Sequence, residues 1–311
     1  MVAATHGRSA STEVNIAWRA TLISRLAGWT SPSCIVCGVT SRQWTAVAAV
    51  LLVMAASMPS AAQRPPRTLV VLLAHADDET AASPVLARYA REGVRVHLIV
   101  ATDGSGGSGA QATLQRSENG PVGDALVKAR AEEARCSAAA LGAQAPVLLA
   151  FPDGKLGDYL SDRTLLARLT DQIGAEIARL RPDVVITWGP DGGTGHPDHR
   201  LVSAIATQLQ RMGAPGMPER LFYMYCPADL YTLTPQRTPA PLFYPRAQFF
   251  TMKVPFTPPD LTAAQAAMAC HGTQFNPDQL KVLQPGFARL WNGMIAFIPA
   301  VSSFTGDDLF R

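Results

Sequence analysis

The sequence predicts an α/β fold, a Rossmann-like doubly wound and mostly parallel sheet with a C-terminal α+β extension, and three observations predict it. From Thr68 onward, short apolar runs rich in β-branched residues alternate with longer stretches of helical periodicity, the pattern of successive β-α units. Glycines punctuate the alternation, with Gly93 and Gly142 each closing a helical stretch. Beyond Pro227 the alternation breaks down into a proline-rich segment reaching Pro259, which marks the extension.

The elements follow in order. Thr68 to Ala74 is the first strand, Ala81 to Glu92 a helix, and Val94 to Ala101 a second strand ending at the turn Asp103-Gly104. After a long loop, Asp124 to Leu141 carries charges and alanines at helical spacing, and Pro146 to Phe151 is a short buried strand. Leu165 to Leu180 is an amphipathic helix, Asp183 to Trp188 the fourth strand, Asp198 to Met212 the next helix and Leu221 to Cys226 a fifth strand. In the extension, a strand is expected over Gln248 to Val254 and helices after Thr262. We therefore expect one domain over residues 68–311, with a core over 68–226 and a substrate-shaping extension over 227–311. In the usual order of such sheets the first and fourth strands lie side by side where the winding reverses, and ligands bind beyond the carboxyl ends of the strands there. Chemistry is expected just after Ala74 and just after Trp188.

Residues 1–62 read as a leader. Arg42 precedes the apolar run Ala46 to Ala56, and the small residues Ser60-Ala61-Ala62 follow, the order of a secretory signal with cleavage near Ala62. The apolar run is well short of the roughly 18–20 residues that span a bilayer. A periplasmic or secreted protein with no membrane span after cleavage is the expectation. Of the five cysteines, Cys34 and Cys37 fall in the leader, and the wide spacing of Cys136, Cys226 and Cys270 suits buried thiols with at most one bridge. A net charge of +3, with basic residues scattered along the chain, is too slight to argue for a polyanionic partner, so no nucleic-acid partner is expected. Oligomeric state leaves no mark on the sequence.

After the first strand comes His75-Ala76-Asp77-Asp78-Glu79, and after the fourth comes His196-Pro197-Asp198-His199. Consecutive carboxylates at the edge of an apolar sheet repel unless a cation or a proton compensates them. Each cluster alone could be read as the capping of a helix N-terminus. Their arrival at neighbouring strand ends favours a metal site, and a His and carboxylate shell without cysteine suits catalytic zinc, with other divalent metals compatible. Such a metal lowers the pKa of a bound water toward about 7, and a carboxylate that is not a ligand takes the proton. Spacing does not say which histidine binds.

These two motifs resemble the signatures of the PIG-L family of zinc deacetylases, also called LmbE-like proteins, which hydrolyse N-acetylglucosamine-type substrates. Thr102-Asp103-Gly104, Arg130 with Glu133, and Pro152-Asp153-Gly154 with Leu156 match the family pattern in order, and His271-Gly272-Thr273-Gln274 echoes it more weakly. The likeness covers about Leu69 to Arg200. It implies an enzyme that removes an acyl group, most simply acetyl, from an N-acylated amino sugar or similar small compound, and the leader adds the expectation that this enzyme is exported. It implies His75, Asp78 and His199 as ligands of zinc, Asp77 as general base, His196 as the group stabilising the oxyanion and Asp198 as the residue orienting His196. Ala76 stands where the family usually has proline, and Thr273 where it usually has serine.

Other signals carry less. Gly104 to Gly109 fits the dinucleotide fingerprint formally but follows the second strand, so it reads as a flexible loop and a candidate lid. His97 reads as a packed histidine, and Trp188 and Tyr225 as core residues before sugar platforms. No Gly-x-Ser-x-Gly elbow supports a serine hydrolase. The reading from another class is a non-catalytic carbohydrate- or metal-binding module, against which Asp77 argues, because a binding site needs ligands and no additional carboxylate beside them.

Overall fold

The structure, a computed structural model, describes residues 66–106, 121–227, 229, 244–301 and 303–311. The leader with Cys34 and Cys37, the glycine-rich run beyond Gly106 and most of the proline-rich segment lie outside the described residues. Among those described, no helix is long and apolar enough to cross a membrane.

Strands β1 (Thr68–Leu73), β2 (Arg95–Thr102), β3 (Val147–Phe151), β4 (Val184–Trp188), β5 (Leu221–Met224), β6 (Met252–Pro255) and β7 (Met294–Pro299) form one sheet in the order β3-β2-β1-β4-β5-β7-β6. The first five run parallel, and β7 joins β5 antiparallel, with β6 antiparallel to it at the edge. The expected α/β class holds, and β1 lies against β4 with Leu69 opposite Val184 and Val71 opposite Ile186. Every residue of β1 and of β4 is buried. A parallel strand covered on both faces needs such a continuous apolar run, which is why Leu-Val-Val-Leu-Leu and Val-Val-Ile do not alternate with polar residues.

The helices are α1 (Ser83–Arg91), α2 (Asp124–Ala140), α3 (Arg163–Leu180), α4 (Pro197–Arg211), α5 (Pro258–Ala269) and α6 (Pro277–Trp291). One core layer packs Val85, Leu86 and Tyr89 of α1 with Leu283, Phe287 and Trp291 of α6 against one sheet face. The other packs Leu165, Leu169, Ile173 and Ile177 of α3 with Val202 and Ile205 of α4 against the opposite face. The 3.6-residue spacing of these apolar positions fixes which side of each helix faces the sheet. Asp162 accepts from the backbone N–H groups of Thr164 and Leu165 and so starts α3 two residues before the predicted Leu165.

Three expectations in the chain order need correction. The predicted helix from Ala81 begins as a 3-10 turn over Asp78–Ala81, with α1 proper starting at Ser83. The strand expected over Gln248 to Val254 is β6, which starts at Met252 after a 3-10 turn over Ala247–Phe249. Strand β7 is absent from the sequence expectation, because Met-Ile-Ala-Phe-Ile-Pro is short and its role is set by pairing with β5, some seventy residues away in sequence.

Candidate metal centre

The turn after β1 places Asp78 by backbone alone. The N–H groups of Ala74 and His75 donate to Oδ2 at 2.9 and 2.8 Å, which leaves Oδ1 to face the crevice. The loop after β4 returns the chain to His199 in the first turn of α4. Gly193 makes that return possible, since its φ of +63° suits glycine and a Cβ there would lie 2.3 Å from Trp188 Cε3. The indole instead stacks flat on the His199 ring, with centroids 4.7 Å apart and planes at 7°.

The tautomers follow from the outer partners. His199 Nδ1 lies 2.8 Å from the Gly192 carbonyl, which can only accept, so this nitrogen carries the hydrogen and Nε2 presents a lone pair. His75 Nε2 lies 3.0 Å from Asp153 Oδ1 and 3.5 Å from Asp198 Oδ2, so it is the protonated nitrogen and Nδ1 presents the lone pair. The two lone pairs face one another at 2.9 Å, and Asp78 Oδ1 completes the triangle at 3.0 Å from His199 Nε2 and 3.7 Å from His75 Nδ1. Three electron-pair donors this close repel unless something positive lies between them. Tetrahedral ligands around zinc stand about 3.3 Å apart, and the observed separations bracket that value. The residues therefore fit a divalent metal held by His75, Asp78 and His199, with further coordination positions left to solvent or substrate.

Without a cation, a proton takes its place. Burial opposes charge on His75, but Asp153, Asp198 and Asp78 together raise its pKa well above the ordinary value. Burial likewise opposes ionisation of Asp78, and the His199 and His75 imidazoles still hold its carboxyl well below the usual range. Metal and proton thus compete for one position.

The consecutive carboxylates are separated, which corrects the argument from their mutual repulsion. Only Asp78 enters the donor triangle. Asp77 faces Arg130 Nη2 at 3.3 Å, and Glu79 is buried between Ser137 Oγ and His271 Nε2, the latter at 2.6 Å. Each carboxylate has its own positive or donating partner, so the need for a cation comes from the facing imidazoles. Helix capping does not explain them either, because no side chain caps the 3-10 turn. Burial and Asp78 work against charge on Asp77, but the Arg130 guanidinium keeps its carboxyl below the usual carboxylate value.

His196 is the N-cap of α4, and its Nδ1 accepts from the Asp198 backbone N–H at 3.2 Å. Its Nε2 is then the protonated nitrogen, and the ring stands 4.7 Å from His75 and 5.2 Å from His199. Burial first, and then the nearby His75 and His199 rings, lower its pKa, which favours the neutral imidazole. The role expected for Asp198 does not match its surroundings. Its carboxylate accepts from the backbone N–H groups of Gly154 at 2.8 Å and Leu156 at 3.1 Å and lies beside His75, so it orients His75 and ties down the loop after β3.

Several residues that the sequence flagged without a role belong to this region. Asp153 holds His75. Arg130 and Glu133, joined by Ser137, which the sequence did not flag, project from one face of α2 at spacings of three and four, a pattern legible in sequence only once their partners are known. Cys136 pairs with Cys270, the single bridge among the described residues, and Cys226 is a free thiol whose pKa burial pushes up to about 12. Burial lowers the His271 pKa, yet Glu79 more than restores it, so the folded value lies above the ordinary one. The stability this pair contributes is therefore fully present below about pH 6.5, the unfolded value, and is lost as pH rises through the folded value. Melting temperatures of wild type and His271→Gln are expected to differ most at acidic pH and to converge on raising it. A gap independent of pH would show that the pair is not ionic.

Residues 70–210 match the PIG-L family model, described as GlcNAc-PI de-N-acetylase. A 1D-myo-inositol 2-acetamido-2-deoxy-alpha-D-glucopyranoside deacetylase from Kineococcus radiotolerans is 34% identical over 155 residues, 43% of this chain and 42% of that protein. The protein of the same name from Rhodococcus erythropolis is 37% identical over 45% of this chain and 52% of its own length. The matched stretch thus spans about half the length of these relatives, whereas the one from Thermobifida fusca is matched at 28% identity over 77% of this chain and 92% of its own. Among solved structures, the N,N'-diacetylchitobiose deacetylase from Pyrococcus horikoshii superposes with a TM-score of 0.54 at 16% identity, over 82% of this chain and 92% of that one, a likeness of fold alone. Both signature motifs lie inside the matched segment, on the strand ends that the fold brings together, so residues 70–210 are similar to the PIG-L family in the part of the chain that carries the site.

Proposed function

We propose that this protein is an exported zinc-dependent amidohydrolase that removes an acetyl group from an N-acetylated amino sugar or a related small N-acyl compound. The observation that carries the reading is the pairing of two separate arrangements, the donor triangle of His75, Asp78 and His199 and the ionised Asp77 held apart from it by Arg130. A pure binding site has no use for the second. The match of residues 70–210 to the PIG-L family model and the deacetylase names of the similar proteins support the reaction class. The Cys136–Cys270 bridge supports export, since such bonds persist in oxidising compartments, as does the leader pattern of residues 1–62.

A bound divalent metal would supply Lewis acidity toward water and the substrate carbonyl. The chain's own residues do the rest. Asp77, ionised at neutral pH, accepts the proton of the attacking water. His196 Nε2–H donates toward the carbonyl oxygen as negative charge develops there. The proton collected by Asp77 passes to the departing amine, leaving acetate and a free amino sugar. The direct test is acetate release by the purified protein, supplied with zinc, from N-acetylglucosamine and its glycosides. Release abolished by chelation and restored by zinc is expected, and a protein that binds zinc yet releases no acyl group from any such amide would overturn the reading.

A further inference from the structure

Three chain segments meet behind Asp77. Arg130 places Nη2 at 3.3 Å from Asp77 Oδ1 and Nη1 at 3.9 Å from Glu133 Oε2. Glu133 in turn accepts twice from one residue of the C-terminal part, from the Thr273 N–H at 2.6 Å and the Thr273 hydroxyl at 2.8 Å. One helical turn further along α2, Ser137 holds Glu79, which His271 holds from the other side. Between these two sets of hydrogen bonds lies the Cys136–Cys270 bridge, adjacent in sequence to Ser137 and to His271. It fastens residues 270–273 to α2 at the point where both segments reach the turn after β1.

Arg130 needs that support. It is buried, and its Nε and Nη1 find no hydrogen-bond partner among the described residues, so Glu133 acts on it through charge at a distance. The closeness of Gly104, whose Cβ would come within 2.9 Å of the Arg130 side chain, limits movement on one side only. What fixes Glu133 therefore fixes Arg130, and what fixes Arg130 sets where the Asp77 carboxylate points.

We propose that Thr273, carried on the disulfide-anchored segment Cys270–Gln274, is a positioning residue for Asp77 and acts through Glu133 and Arg130. The inference rests on the amidohydrolase reading for Asp77 as base. It gives the segment that follows α5 a direct part in aligning the base, in addition to shaping the pocket.

The experiment compares Thr273→Val, which keeps the shape and loses the hydroxyl, with Thr273→Ser, which keeps the hydroxyl. Acetate-release kinetics, metal content and a crystal structure of each are the readouts. Thr273→Val is expected to lower kcat on the order of tenfold through loss of alignment, with KM within about twofold and zinc content unchanged. Thr273→Ser is expected to stay within about twofold of wild type. Adding Thr273→Val to Glu133→Gln should cost almost nothing further, because both act along one path. The proposal is overturned if Thr273→Val keeps full kcat, if serine fails to rescue, or if the two losses simply multiply. Should wild type release no acetate, the functional reading fails and the crystal structures alone decide the inference. An Arg130–Asp77 hydrogen bond broken in Thr273→Val and intact in Thr273→Ser supports it, and the same bond intact in both overturns it.

Discussion

Replacing Asp77 by asparagine is expected to lower acetate release by about 10²- to 10⁴-fold while zinc content stays at the wild-type level. The side chain keeps its volume and retains an oxygen facing Arg130 Nη2, so the buried guanidinium is not left without a neighbour. What disappears is the negative, proton-accepting form, which Arg130 favours by holding the Asp77 carboxyl below its usual value against burial. Because Asp77 stands outside the triangle of His75, Asp78 and His199, the donor set is untouched. Metal analysis alongside kinetics separates the outcomes. Zinc retained with activity abolished fits Asp77 as base, whereas zinc retained with activity intact means that another base serves or that the crevice only binds.

His199→Ala is expected to abolish both metal and activity, with zinc falling from about one ion per chain to near background, as removal of one of three protein ligands implies. Two donors then remain, His75 Nδ1 and Asp78 Oδ1, 3.7 Å apart. The substitution also removes the ring on which Trp188 stacks and leaves the Gly192 carbonyl with the Thr194 N–H as its remaining donor, so a lower melting temperature accompanies the metal loss. In wild type, zinc should raise the melting temperature in proportion to its binding, and in His199→Ala that increment should vanish. Persisting zinc at one per chain in this variant would remove His199 from the ligand set.

Much of the fold is legible in the sequence because local pattern and tertiary environment agree. The unbroken apolar runs of β1 and β4 predict strands covered on both faces, and their predicted adjacency is observed. Element ends are less legible where polar groups set them, as at the Asp162 cap of α3 and the 3-10 turn that precedes α1. Strand β7 is decided by its partners β5 and β6, and a six-residue segment ending in proline carries little sign of that by itself. In the site, spacing leaves the ligand histidine open and the family resemblance supplies His75, Asp78 and His199, whose donor atoms converge, but the resemblance also assigns Asp198 to His196 where its carboxylate serves His75 and the loop after β3.

The sequence by itself determined the sheet class, the two strand ends that carry the chemistry and the residue types placed there, because apolar periodicity and motif spacing are local properties of the chain. Only the tertiary structure decided which nitrogen of each histidine is free, that the three adjacent carboxylates go to three different partners, and that residues 270–273 reach Asp77 through α2. Those facts depend on hydrogen bonds between segments as many as 192 residues apart, whose geometry exists only once the core has packed.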